Sequence, residues 1–178
     1  QFLVQLREIV SINRAVIFLR PAEGVFGNPV PPEEGGRLRA ACAIGVPQAL
    51  LEQCSLSLES GLGSQLQRLC RILRRNSDEA RSNPDTQREF DLLGTQVAVP
   101  IMDRDSLIGV ALFDGRITGE PLVNAELELI YHLLEHLALA VRNIWLHSQL
   151  AANNDMMAGV LRELSSACVV VGRDLKIL

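Results

Sequence analysis

The sequence predicts an α+β domain built around a central antiparallel sheet. Residues 95–101 alternate large apolar side chains with polar or smaller ones, which is the period of a half-buried strand. Residues 106–114 form a second apolar run after a polar turn at 103–105, so the two runs predict a hairpin. From Asn124 onward, apolar residues recur at helical spacing, which predicts a long amphipathic helix.

The second strand of the hairpin is apolar on both of its faces, so we expect a central strand that is covered on both sides. Gly109 interrupts it. A glycine inside a strand either allows another backbone to approach closely or marks a bulge, and the sequence leaves both alternatives open.

The long helix has a clear start signal, with Asn124 as its cap and Glu126 and Glu128 in its first turn. Its apolar residues step by three and four alternately, as in a heptad seam that faces a sheet or a partner helix. These candidates for a dimer helix are Leu127, Ile130, Leu134, Leu137, Val141 and Ile144. Further apolar residues widen this surface, which predicts one contact with the sheet and another with a second chain.

The first half of the chain supplies the remaining elements. Apolar spacing predicts an N-terminal helix, and apolar runs predict strands at 14–20 and 37–45. Prolines and glycines predict a loop from Ala22 to Gly36 between these strands. Next come a short helix at 47–54 and an extended segment at 56–63 that bends at its glycines. A second helix at 64–73 and an exposed polar linker at 74–84 follow.

The composition excludes several classes of function. A net charge of -4 argues against a nucleic-acid partner, and no segment is apolar for the length of a membrane helix. The four cysteines form no CxxC pair and the three histidines are scattered, so we expect reduced thiols in a cytoplasmic protein and no metal site. The chain begins without methionine, which suggests an excised piece.

Residues 89–101, 107–112 and 127–145 resemble the C-terminal half of a GAF domain. The matching features are Pro100 in the first strand, Ile108-Gly109-Val110 in the second and the long helix after a loop. The resemblance extends over residues 2 to 150. It is a signature of fold and carries no catalytic residue.

The resemblance implies a sheet with the terminal helices on one face and pocket-forming loops and helices on the other. The terminal helices would pair between two subunits. A small-molecule pocket would be lined by apolar candidates, namely Phe18, Cys42, Ile44, Leu62, Leu66, Leu69, Val97, Val99 and Val110. The alternative is that these side chains fill an ordinary core. Neither a cyclic-nucleotide signature nor a bilin-type cysteine context is present, so the cofactor stays unknown.

Residues 1–150 are thus predicted to form the sensor domain with its signalling helix. Residues 151–178 are predicted to form a connector helix followed by a truncated second module, because Met156 to Ile177 resembles the opening of a PAS domain. The alternative is that this tail folds back on the first domain as an extra strand.

Three functions follow from these features. The first is a regulatory sensor domain of a multidomain signalling protein such as a histidine kinase, homodimeric, with an output domain in the same full-length chain. The second is a dimerisation scaffold without a ligand. The third is an enzyme like the GAF-type free methionine sulfoxide reductases, which is disfavoured because no lysine flanks the cysteines. No catalytic residue is predicted: the acidic turn residues Asp103, Asp105, Asp114 and Glu120 are expected to be solvated.

Overall fold

The computed structural model describes residues 2–21 and 36–163. The helices are α1 Phe2–Val10, α2 Gln48–Gln53, α3 Gly61–Leu69, α4 Asp78–Arg81, α5 Pro84–Leu93 and α6 Asn124–Glu163. The strands are β1 Ala15–Leu19, β2 Arg37–Ile44, β3 Ser55–Ser57, β4 Leu73–Arg74, β5 Val97–Asp103 and β6 Ser106–Phe113. The loop predicted from Ala22 to Gly36 lies almost wholly outside the described residues.

All six strands form one antiparallel sheet in the order β3-β2-β1-β6-β5-β4. The predicted hairpin is therefore confirmed as β5 and β6, and β6 is a central strand. Every residue of β6 from Leu107 to Phe113 is buried, as its two apolar faces predict.

Each face of the sheet carries its own apolar cluster. On the helix side, α1 and α6 cover the sheet through residues such as Leu6 and Ile130, which pack with Phe113 of β6. On the opposite side, which we call the ligand side because the resemblance predicts the pocket there, α3 and α5 cover it through residues such as Leu66 and Phe90. This arrangement confirms the predicted α+β fold, with the terminal helices on one face and other helices on the second.

Gly109 satisfies both explanations that the sequence left open. The pairing of β5 with β6 shifts register between Ile101 and Met102, which are opposite Gly109 and Leu107, so a bulge is present. In addition, a Cβ atom at Gly109 would lie 2.5 Å from the carbonyl oxygen of Phe18 in the neighbouring strand. The glycine thus lets β1 and β6 approach at the bulge.

The segment predicted as an exposed linker at 74–84 is instead structured, and that expectation was wrong. It contains Arg74 of the edge strand β4, the short helix α4 and the first residue of α5. Two start signals in the sequence could have identified these helices. The Ser77 hydroxyl accepts a hydrogen bond from the Ala80 amide, and the Asn83 side chain accepts from two amides of α5, ahead of Pro84 at its N-terminus.

Helix α3 also differs from its predicted bounds. It begins at Gly61 and ends at Leu69, because Cys70 adopts a left-handed conformation with a φ of 49°. A residue in this conformation terminates a helix. Residues 72 and 73 therefore leave the helix and Leu73 enters the sheet.

Helix α6 extends far beyond the sheet. Its 40 residues correspond to a rod of about 60 Å. It begins at Asn124 as predicted and continues without a break to Glu163. Within the described parts of the chain, no helix combines the length and hydrophobicity that crossing a bilayer would need.

Candidate functional site

The ligand side brings five of the predicted pocket residues together. Phe18, Leu62, Leu66 and Val110 are all fully buried in one cluster, and Leu69 packs at its edge. Phe90 of α5, also fully buried, packs among them. These side chains form a filled core between the sheet and α3 and α5, so a ligand at this place would have to separate the helices from the sheet.

The other four predicted pocket residues lie elsewhere, and their assignment to this face was wrong. Val97 and Val99 belong to the helix-side cluster, because β5 turns Ala98 toward the ligand side. Cys42 is exposed. Ile44 packs at the edge of the helix side, since its cross-strand partner in β1 is a helix-side residue.

A cleft of about 590 Å³ lies at the edge of the sheet beside β2, α2 and β3. Its lining includes Arg37, Arg39, Glu52 and Cys54. The Arg37 guanidinium donates to the Ser55 hydroxyl at 3.5 Å. This polar, charged lining does not suit the apolar ligand that the predicted pocket residues implied.

Glu89 is a residue of the ligand side that sequence reasoning did not identify. Its carboxylate on α5 accepts a hydrogen bond of 2.6 Å from the Leu62 amide, at the N-terminus of α3. Ser60, the cap position of α3, makes no such bond with its side chain, so Glu89 supplies the acceptor. Gly61 leaves the necessary space, since a Cβ atom there would lie 2.3 Å from a Glu89 oxygen.

Burial raises the pKa of Glu89, and the charge of Asp85 raises it further, against the opposing effect of the Leu62 amide. The folded state therefore holds the proton more tightly than the unfolded chain. The stability that this group contributes is complete below the unfolded pKa of about 4.3 and is lost as the pH rises through the folded pKa. Glu89 thus favours the fold less at neutral pH than in acid.

Replacing Glu89 with glutamine should remove this pH dependence. Relative to the wild type, we expect the free energy of unfolding of Glu89→Gln to increase as the pH rises from the unfolded pKa of about 4.3 to the raised folded pKa and to stay level above it, because glutamine has no charge to desolvate. Urea unfolding across this pH range measures the difference. Glu128→Gln, at an exposed position on α6, is the matched control. A constant difference between Glu89→Gln and the wild type across the range would contradict the assignment.

The start of α6 is fixed to the domain by two arginines. The Arg116 guanidinium donates to the Glu126 carboxylate at 2.6 Å and 3.0 Å, and Glu126 also accepts from the Val123 amide at 2.9 Å. The Arg74 guanidinium donates to the Leu122 carbonyl and, at 2.9 Å, to the Asn124 side chain. The helix therefore begins from an anchored position.

Five of the six predicted dimer residues of α6 face the sheet of their own chain. Leu127, Ile130, Leu134 and Val141 are buried in the helix-side cluster, and Leu137 packs against it. The four buried side chains cannot also contact a second helix, which corrects that part of the prediction. The sequence pattern did not distinguish between a sheet and a partner helix, since both require the same spacing. Of the six, only Ile144 is largely exposed, at 62%.

A second apolar stripe remains exposed on α6. We call it the distal stripe: its residues are between 52% and 63% exposed, and they are Leu139, Leu146, Leu150, Met157 and Val160. With Asn143 and Asn153 between them, they also step by four and three alternately. At 100° per residue, the distal stripe lies about 140° around the helix axis from the buried stripe. It therefore faces away from the sheet.

The helix around the distal stripe is almost without charge. Between residues 143 and 161, Asp155 is the only acidic or basic side chain apart from His147. Exposed helices normally carry charged residues on their solvent face. A stretch that is apolar, exposed and nearly uncharged is typical of an interaction surface.

The described residues contain no group of histidine, cysteine and acidic side chains that could hold a metal ion. His132 and His136, one turn apart on α6, are both exposed, and the His132 ring contacts the Glu135 carboxylate at 3.0 Å. They lie on a part of the helix surface that the sheet does not cover.

Comparison with known proteins identifies the fold independently. A family model described as GAF domain matches residues 1–141. The chain is similar to the GAF domain/HD domain protein from Geobacter sulfurreducens, with a TM-score of 0.58 and 20% identity over 80% of this chain and 89% of that one. A search of curated proteins gave no match.

Two further solved structures are similar at 16% identity. One is the GAF domain of a two-component sensor histidine kinase from Bacillus halodurans, with a TM-score of 0.54 over 82% of this chain and 92% of that one. The other is a type II free methionine-R-sulfoxide reductase from Thermoplasma acidophilum, with a TM-score of 0.53 over 79% and 86%. At these identities the similarity concerns the fold alone.

Proposed function

Because the chain belongs to the GAF domain family, we propose that it is a regulatory sensor domain of a multidomain signalling protein and acts as a homodimer. In this proposal α6 carries the output, paired with α6 of a second copy through the distal stripe. The observation that supports it is the exposed, nearly uncharged apolar surface that the helix presents on the side away from its own sheet.

A second copy of this chain fits the distal stripe better than a charged partner. Two identical faces that lack charge can approach each other without repulsion. The heptad spacing suits two supercoiled helices. A parallel pair would place Asn143 beside Asn143 and Asn153 beside Asn153, so that each amide can hydrogen-bond its counterpart and fix the register. On α1, the other terminal helix, the exposed Val4 and Ile9 could extend the contact.

A small-molecule ligand remains part of the proposal. The predicted position is the ligand side, where Phe18, Leu62 and Leu66 form a closed cluster. Binding there would separate α3 and α5 from the sheet and so disturb the strands that also support α6. Native mass spectrometry of the protein purified from cells, with a retained small molecule as the expected result, tests this part. A ligand-free spectrum would favour the scaffold function.

Catalysis by the cysteines has less support. Burial raises the pKa of Cys54, and the nearby carboxylate of Glu89 raises it further. A reactive thiol needs a lowered pKa. The environment of Cys54 thus disfavours the thiolate, which supports regulation rather than sulfoxide reduction.

The proposed output domain lies beyond the part of the chain that the structure describes. The predicted connector helix corresponds to the distal half of α6. Of the residues that resemble a PAS domain, Met156 to Ile177, the first eight continue α6 and the others fall outside the described residues. The PAS-like module therefore stays a prediction, as does a cytoplasmic location. In the proposal, a change in the packing of the two α6 helices biases the output domain.

Sedimentation equilibrium of the whole chain over a range of concentrations from about 1 μM to 500 μM tests the proposed dimer. We expect the mass of a dimer, twice 19.5 kDa, at the upper end of the range. A monomer at every concentration would refute the proposal, since the distal stripe would then have no partner of its own kind.

A further inference from the structure

An ion pair connects the hairpin of the sheet to α6 at the point where the helix leaves the domain. The Arg142 guanidinium donates to the Asp103 carboxylate at 3.0 Å, with 33% and 26% of the two side chains exposed. Asp103 is the last residue of β5. From its position in a turn, the sequence had predicted a solvated residue, and the structure shows instead a partly buried partner of the helix.

The pair marks the boundary between the fixed and the free parts of α6. Before Arg142, the helix is buried against the sheet through residues such as Leu134 and Val141. After Arg142, Trp145 still packs at the edge of the cluster. Beyond that position, and within the described residues, no side-chain hydrogen bond or ion pair joins the helix to the rest of the chain.

The angular position of Arg142 allows it to control rotation. On a helix of 3.6 residues per turn, it lies between the buried stripe and the distal stripe, about 80° from the first and 60° from the second. A shift of Asp103 along the sheet surface would therefore pull on the side of the helix. The distal stripe would turn with it.

Asp103 is also placed to respond to the ligand side. Met102 and its cross-strand partner Leu107 pack in the ligand-side cluster, whereas the neighbouring Asp103 reaches the helix side. The turn that follows is strained, since Arg104 has a φ of 54°. A change in the packing of Met102 and Leu107 would thus be passed through one peptide unit to the ion pair.

We propose that the Asp103–Arg142 ion pair is the contact that sets the rotation of α6, and with it the alignment of the distal stripe in the dimer. This inference rests on the proposed function. Asp103 and Arg142 are positioning residues in this scheme, since neither belongs to the distal stripe nor to the predicted pocket.

Photo-crosslinking of the whole chain tests the inference. The photoreactive residue benzoylphenylalanine replaces either His147 or Gln149, two exposed positions on opposite sides of the distal stripe. The ratio of covalent dimer from the two sites reports the rotation of the helix. Asp103→Asn, which keeps the shape of the side chain and removes its charge, should change this ratio about two- to fivefold, as expected from an ion pair of this exposure.

Two further variants separate rotation from other effects. Asp105→Asn, in the same turn, is the matched control and should leave the ratio unchanged. Exchange of the two charges, with Asp103→Arg and Arg142→Asp together, should return the ratio toward the wild-type value. An unchanged ratio in Asp103→Asn, with normal dimer formation, would overturn the inference and leave the proposed dimer intact. Absence of any dimer in the wild type would overturn both.

Discussion

Replacing Leu150 with glutamate is expected to weaken the dimer about 100-fold. Leu150 lies in the middle of the distal stripe and is 59% exposed in the single chain. Burial of a leucine side chain contributes about 1.5–3 kcal/mol, and a symmetric dimer loses two of them. Because only 59% of this side chain is left to bury, the two copies together contribute about 2–3.5 kcal/mol. At 1.4 kcal/mol for each factor of ten, this is roughly a 20- to 350-fold loss of affinity, and the repulsion between the two carboxylates adds to it.

Sedimentation equilibrium at matched concentrations measures this effect. Leu92→Glu is the control, because Leu92 on α5 is 56% exposed and lies outside the distal stripe. Both variants should fold, since neither side chain is buried in the single chain. Equal dimer affinity in Leu150→Glu and Leu92→Glu would show that the distal stripe is not the interface.

The largest expected loss of stability follows from Gly109→Ala. The added Cβ would lie 2.5 Å from the Phe18 carbonyl oxygen and 2.7 Å from a methyl group of Leu19. The backbone oxygen cannot rotate away, so β1 and β6 must separate at the centre of the sheet. Overpacking of this kind costs about 3 kcal/mol. For a domain of this size, the midpoint of thermal unfolding should fall by about 6–12 °C.

Gly159→Ala is the matched control for this prediction. Gly159 lies within α6, and a Cβ atom there would meet nothing within 4 Å. The substitution should stabilise the helix slightly, by up to about 1 kcal/mol, because alanine is the better helix former. A thermal midpoint of Gly109→Ala close to that of Gly159→Ala would mean that the two strands do not approach as closely as the structure shows.

The missed helix α5 shows the limit of periodicity as a signal. Thr86, Phe90 and Leu93 of α5 are buried, but the sequence around them is polar and short. The start signals at Asn83 and Pro84 were present, yet the polar run before them had the composition of a linker. The hydrogen bond from the Leu62 amide of α3 to the Glu89 carboxylate of α5 joins residues 27 positions apart, and no local pattern predicts such a contact.

The sequence by itself determined the antiparallel hairpin, the long helix and the class of fold. Apolar side chains at every second residue in a strand, or at every third and fourth residue in a helix, are local properties of the chain. Only the tertiary structure decided which face of each strand meets which helix. Val97 and Val99 alternate in the same way whether they face α6 or α3, and Leu134 has the same spacing whether its neighbour is a sheet or another helix. Which partner buries a side chain depends on how distant elements pack. In this fold the sheet covers most of the predicted dimer residues of α6, so the distal stripe is the surface left free for a second chain.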